Sequence, residues 1–143
     1  MGGNAKNGGI EGTVKFYQMA DGVLVVADIH GLPVPAKACG GGVFGFQIHG
    51  GARCGGNAQD PFADAGTHYD PHGCPHPYHA GDMPPLFGAG GRAFLAFLTD
   101  RFTLNEIVGK TVIIHDRPDD LTTQPSGNAG SKMACGVISR VRR

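Results

Sequence analysis

The chain has 143 residues, enough for one domain with a real hydrophobic core. Twelve Lys and Arg balance twelve Asp and Glu, so the net charge is zero and nothing points to nucleic acid or an anionic membrane as a partner. No apolar run approaches the ~18 residues of a membrane span, the polar "MGGNAKNGG" opening lacks the apolar stretch of a signal peptide, and 25 Gly and 10 Pro without a fixed period exclude collagen. The expected organisation is a single domain over residues 1–143, with residues 1–10 flexible.

Taken in chain order, "GTVKFYQ" (12–18) and "GVLVVADIHGLP" (22–33) alternate as strands, and Ala20-Asp21-Gly22 join them as a hairpin. The opening stretch adds a third strand beside them. "GVFGFQIHGG" (42–51) reads as one strand, with Gln47 and His49 on one face and Phe46 and Ile48 on the other. "GRAFLAFL" (91–98) is a strand candidate between glycines. "TLNEIVG" (103–109) holds one helical turn ending at Gly109. "KTVIIHD" (110–116) is rich in β-branched residues and reads as a strand. "KMACGVISRV" (132–141) is the last.

Two long irregular segments interrupt this pattern, one from about Gly50 to Phe87 and one from about Asp116 to Ser131. A compact domain seldom carries so long a loop unless function or cross-linking orders it. The first holds most of the seven His and two of the four Cys. Within "THYDPHGCPHPYHAGD" (67–82), His68, His72, His76, His79 and Asp82 offer imidazoles and a carboxylate, a suitable donor set for Zn(II). His49 and His115 stand on separate strands and reach the same His68 if the sheets pack face to face. The cysteines, Cys39, Cys54, Cys74 and Cys135, are even in number, widely spaced and without a CxxC pair. That favours disulfides and an oxidising compartment, periplasmic or extracellular, over a zinc ribbon.

Five motifs, in order, resemble the copper/zinc superoxide dismutase family: "GFQIH" (45–49), "AGTHYDP" (65–71), "HAGDMPPL" (79–86), "VIIHDRPDD" (112–120) and "GNAGSKMACGVI" (127–138). The resemblance runs from Gly12 to Ile138. It implies an all-β fold, a Greek-key β-sandwich or flattened barrel of eight antiparallel strands with long metal-binding loops. It implies zinc and copper as cofactors, bridged by the His68 ring. Zinc ligands would be His68, His79, Asp82 and a further histidine; His76, eight residues after the bridge, fits the family spacing and His72 does not. His49, His68 and His115 would hold copper, Asp119 would orient metal-ligand histidines through hydrogen bonds, and Cys54 and Cys135 would form the family disulfide.

Three departures qualify this. Gln47 stands where the family has a copper-binding His, and a hard, neutral amide oxygen is a poor copper ligand. Lys132 stands where the family has the Arg that guides the superoxide anion; the charge survives, the planar fork does not. Cys39 and Cys74 are extra, and a second disulfide between them would pin the zinc loop to the sheet. The expected activity is dismutation of superoxide to oxygen and hydrogen peroxide, with His49, His68, His115 and Lys132 as its residues and turnover impaired at Gln47. The alternative is a zinc-stabilised module of the same fold without dismutase activity. The expected state is a monomer or homodimer.

Overall fold

The structure is a computed structural model and describes residues 2–3 and 9–141. Part of the segment expected to be flexible, residues 1 and 4–8, lies outside the described residues. Gly2–Gly3 form a short strand, β1, and Ile10 is fully buried.

The predicted hairpin forms as β2 (Glu11–Met19) and β3 (Gly22–His30), with Met19 opposite Gly22 across a two-residue turn. Alternation does the work: Val23, Val25, Ala27 and Ile29 point inward and are essentially inaccessible, while Thr13, Lys15 and Tyr17 of β2 face out. β7 (Ala93–Thr99) joins the other edge of β3, aligning Phe97 with Val25 and Leu95 with Ala27. Such cross-strand apolar pairs are what hold a sheet together.

The strand expected over 42–51 divides at Gly45. Val43–Phe44 (β4) pairs with Leu86–Phe87 (β6) in a two-stranded ribbon, whereas Phe46–His49 (β5) pairs with Thr111–His115 (β8). The reason is close approach. A methyl group at Gly45 would lie 2.8 Å from Ala129 Cβ and 3.2 Å from His115 Cβ, and the Gly45 backbone instead bonds Arg117 O and the His115 N–H. The last strand, β9 (Lys132–Val137), stops four residues short of the expected Val141.

The main sheet runs β5-β8-β9-β1-β2-β3-β7, all pairs antiparallel, and the β4–β6 ribbon lies beside β7. With β4 and β5 taken as one strand broken at Gly45, eight strands form the Greek-key sandwich expected. The predicted helical turn, α1 (Leu104–Ile107), is closed by a Thr103–Glu106 capping box.

Two cores result. The larger fills the sandwich and includes Phe46, Ile48, Val112 and Ile114. The smaller, Phe62, Ala65, Ile113 and Cys135, lies on the opposite face of β5 and β8, where the first long loop covers the sheet. A Cys54–Cys135 disulfide, 5.7 Å between Cα atoms, fastens that loop to β9. Cys39 and Cys74 remain free thiols, so the second disulfide does not form. Cys39 sits exposed in a tight Lys37–Gly40 turn, and Cys74 is held inside the zinc loop by an N–H bond to Asp70.

Candidate metal centre

Gln47 and His49 share the loop-covered face of β5, opposite Ile113 and Thr111 of β8. The loop reaches them through the backbone. It pairs Tyr69 N–H with Ile48 O, Ile48 N–H with Gly81 O, and Gly50 N–H with Thr67 O. Thus β5, an edge strand of the sheet, is covered by residues 67–69 and 81–82, and this apposition sets His68 beside His49 and Asp82 beside Gln47. Tyr69 anchors the same turn: its hydroxyl donates to Glu106 Oε1 at 2.7 Å, and burial together with that carboxylate pushes the phenol up to about 12.

His68 is the centre of the cluster. Its ring centroid lies 5.0 Å from His49, 5.3 Å from both His76 and His79, and 6.1 Å from His115. Two donor sets share it: His68, His76, His79 and Asp82 on one side, His49, His68 and His115 on the other, each with its ligand atoms within 4.8 Å of one another and every residue buried. His72 belongs to neither and is exposed, whereas His76, at the eight-residue spacing, lies within the first set.

On the first side, His76 Nε2 meets Asp119 Oδ1 at 2.7 Å. A carboxylate only accepts, so Nε2 carries the proton and Nδ1 presents a lone pair. Nδ1, without a hydrogen-bond partner, lies 3.0 Å from Asp82 Oδ2. His68 Nδ1 lies 2.8 Å from Asp82 Oδ1, and His79 Nδ1 lies 3.3 Å from His68 Nδ1 and 3.2 Å from Asp82 Oδ2. Burial pushes the Asp82 carboxyl up, but the His68, His76 and His79 rings outweigh it and hold it below the usual carboxylate value. Three Nδ1 atoms and a carboxylate around one point fit zinc.

On the second side, His49 Nδ1 lies 2.8 Å from Gly66 O and His115 Nδ1 lies 3.1 Å from Gly130 O. Carbonyls accept, so both Nδ1 atoms are protonated and both Nε2 atoms are bare. These lone pairs face each other at 3.3 Å. Burial, then the neighbouring rings, drive His49 down to about 3 and His115 to about 4, so neither ring is a cation at neutral pH. His68 Nε2 is buried without a partner. Opposed lone pairs repel unless a cation lies between them, and three imidazole nitrogens suit copper.

Two supports have no role assigned by the motif comparison. Gln124, in the second long loop, clamps the His76 backbone from both sides: its Nε2 donates to His76 O at 2.8 Å and its Oε1 accepts from His76 N–H at 2.9 Å. Gly127, at φ +70°, lies under Asp119 and His76, where a Cβ would come within 2.7 Å of His76 Nε2. Asp119 itself contacts one histidine, His76; its other oxygen accepts from Gln47 Nε2 at 3.1 Å. Gln47 is wholly buried.

A cleft of about 1250 Å³ opens onto His49, His68 and His115. Its charged rim holds Asp60, Asp70, Asp116 and Lys132. Lys132 Nζ pairs with Asp60 Oδ2 at 2.7 Å. Burial raises the Asp60 carboxyl, yet the lysine dominates and keeps it below its ordinary value.

Residues 10–138 match the family model described as copper/zinc superoxide dismutase. The chain belongs to the copper/zinc superoxide dismutase family. It is 33% identical to a Cu-Zn superoxide dismutase of Deinococcus radiodurans, over 95% of this chain and 81% of the relative. It is 33% identical to Cu-Zn superoxide dismutase A of Xenopus laevis, over 94% and 92%. Among solved structures it is similar to the Cu/Zn superoxide dismutase of Brucella abortus, with a TM-score of 0.75, 27% identity, and coverage of 90% of this chain and 88% of that one. Copper and zinc are the family's metals, and both donor sets of this chain fit them.

Proposed function

We propose that this single-domain chain is a copper/zinc superoxide dismutase whose turnover falls below that of a site with a fourth imidazole. The observation that carries this is the shared His68 ring, with Nδ1 in one ligand group and Nε2 in the other. His68, His76, His79 and Asp82 would hold zinc, which would tie the loop to the shared ring. His49, His68 and His115 would hold copper. Copper supplies the one-electron exchange that takes two superoxide anions to oxygen and hydrogen peroxide. The protein's part is to keep His49 and His115 neutral by burial and to fix their tautomers through Gly66 O and Gly130 O. Lys132 attracts the anion, with part of its field cancelled by Asp60. The Cys54–Cys135 bridge supports residence in an oxidising compartment, periplasmic or extracellular.

A second reading, a zinc-ordered module without dismutase activity, is favoured by the Lys132–Asp60 pair and by Gln47. Reconstitution with both metals separates the two. Superoxide consumption by the loaded protein that rises in Gln47→His supports the enzyme; no turnover in either form leaves the module.

A further inference from the structure

Three buried side-chain atoms among the described residues lack a hydrogen-bond partner: His68 Nε2, His76 Nδ1 and Gln47 Oε1. The first two belong to residues of the two donor sets. Burial without a partner is their signature because a metal ion, and not a proton donor, satisfies them. Gln47 Oε1 carries the same signature. The amide cannot escape it by turning over: Asp119 Oδ2, a pure acceptor, faces the Nε2 end at 3.1 Å, so the nitrogen must stay there and the oxygen must stay at the other end.

The position of Gln47 completes the case. It lies two residues before His49 on the same face of β5. Gly45 leaves the space that both side chains border: a methyl placed there would be 3.2 Å from His115 Cβ and 3.4 Å from Gln47 Nε2. A partnerless carbonyl oxygen in that place is costly to bury as an orphan.

We propose that Gln47 Oε1 is the fourth donor of the copper half, so that His49, His68, His115 and Gln47 form a three-nitrogen, one-oxygen site. This rests on the reading above, that the three imidazoles hold copper. Gln47 acts at both ends: Nε2 steadies Asp119 and through it His76 on the zinc side, while Oε1 ligates on the copper side. A neutral, hard oxygen favours Cu(II) over Cu(I). The half is therefore poised toward the oxidised ion. Slow turnover follows from reluctance to be reduced, and not from weak retention of Cu(II).

The test uses the full chain with zinc in place, titrated with Cu(II), and with Cu(I) under anaerobic conditions, against competing chelators. The Cu(II) electron paramagnetic resonance spectrum is recorded alongside. Gln47→Leu should weaken Cu(II) by about tenfold or more and shift its spectrum, while Cu(I) affinity changes far less. Gln47→Met, similar in volume and carrying a soft thioether, should invert the preference, strengthening Cu(I) relative to Cu(II); it carries the test if the Leu variant does not fold. An unchanged Cu(II) affinity and spectrum in both variants overturns the proposal, and does so even if zinc affinity falls, because that pattern assigns Gln47 to the Asp119 link alone. Loss of dismutation in the unmutated protein would count against the enzyme reading only, since the metal affinities are read independently of turnover.

Discussion

The two halves of the centre share one ring and are built in opposite ways. The zinc half is local. His68, His76, His79 and Asp82 span fifteen residues of one loop, include a carboxylate, and are locked from the second loop by Asp119 and Gln124. The copper half is assembled across the sheet from β5 and β8, carries no carboxylate, and relies on backbone carbonyls to orient its rings. A local, charged, doubly clamped set is expected to retain a metal on its own strength. A dispersed, neutral set depends on the fold, and most of the expected differences follow from that.

The most severe break removes the shared ring. His68→Ala should weaken both metals by well over 100-fold, beyond what loss of a supporting residue costs, as read by metal content after dialysis against a chelator. Asp119→Asn should cost zinc about 10–100-fold by comparison. Retention of either metal in His68→Ala would show that the halves do not share it.

The next break is the disulfide. The loop it fastens carries Asp60 and Gly66, both of which serve the copper half. Cys54→Ser should lower unfolding stability by about 2–5 kcal/mol in urea titration, and should loosen copper more than zinc. Equal loss of the two metals would erase the contrast between the halves.

Acid sharpens it in the metal-free protein. His49 and His115 have folded values of about 3 and 4 against an ordinary 6.5. The unfolded chain takes up these protons first, so the stability is complete above pH 6.5 and is lost as pH falls toward 4. At pH 4.5 the cost is on the order of 2–3 kcal/mol per ring, measurable as a falling urea midpoint that flattens in His49→Gln. A midpoint insensitive to pH between 6.5 and 4.5 would contradict burial of neutral rings.

The smallest effect is at the mouth of the cleft. Asp60→Asn removes the carboxylate that pairs with Lys132 and should raise the rate of superoxide capture about two- to tenfold at low salt, fading as salt screens the field. A rate independent of both the substitution and salt would remove Lys132 from substrate attraction.

Much of this was legible in the sequence, and the reasons are physical. Period-2 alternation marked β2 and β3, β-branched runs marked β8, and the stop at Gly109 marked the helical turn before it. The histidine cluster was legible because histidines at fixed spacing in a Gly/Pro loop have little other use. Contacts between loops carry no periodicity, so the Gln124 clamp, the Gly66 and Gly130 carbonyls and the Lys132–Asp60 pair left no sign. The break at Gly45 was hidden because its cause, the crowding of Ala129 and His115, lies more than 65 residues away in sequence. Even parity misled at Cys39 and Cys74, which count as a pair and stay apart.

The shared ring is tested most directly by diffraction from crystals of the zinc- and copper-loaded protein, with anomalous maps recorded at each metal's absorption edge. The expected result is a zinc peak bonded to His68 Nδ1 and a copper peak bonded to His68 Nε2. A ring that ligates one metal only, or neither, would contradict the account.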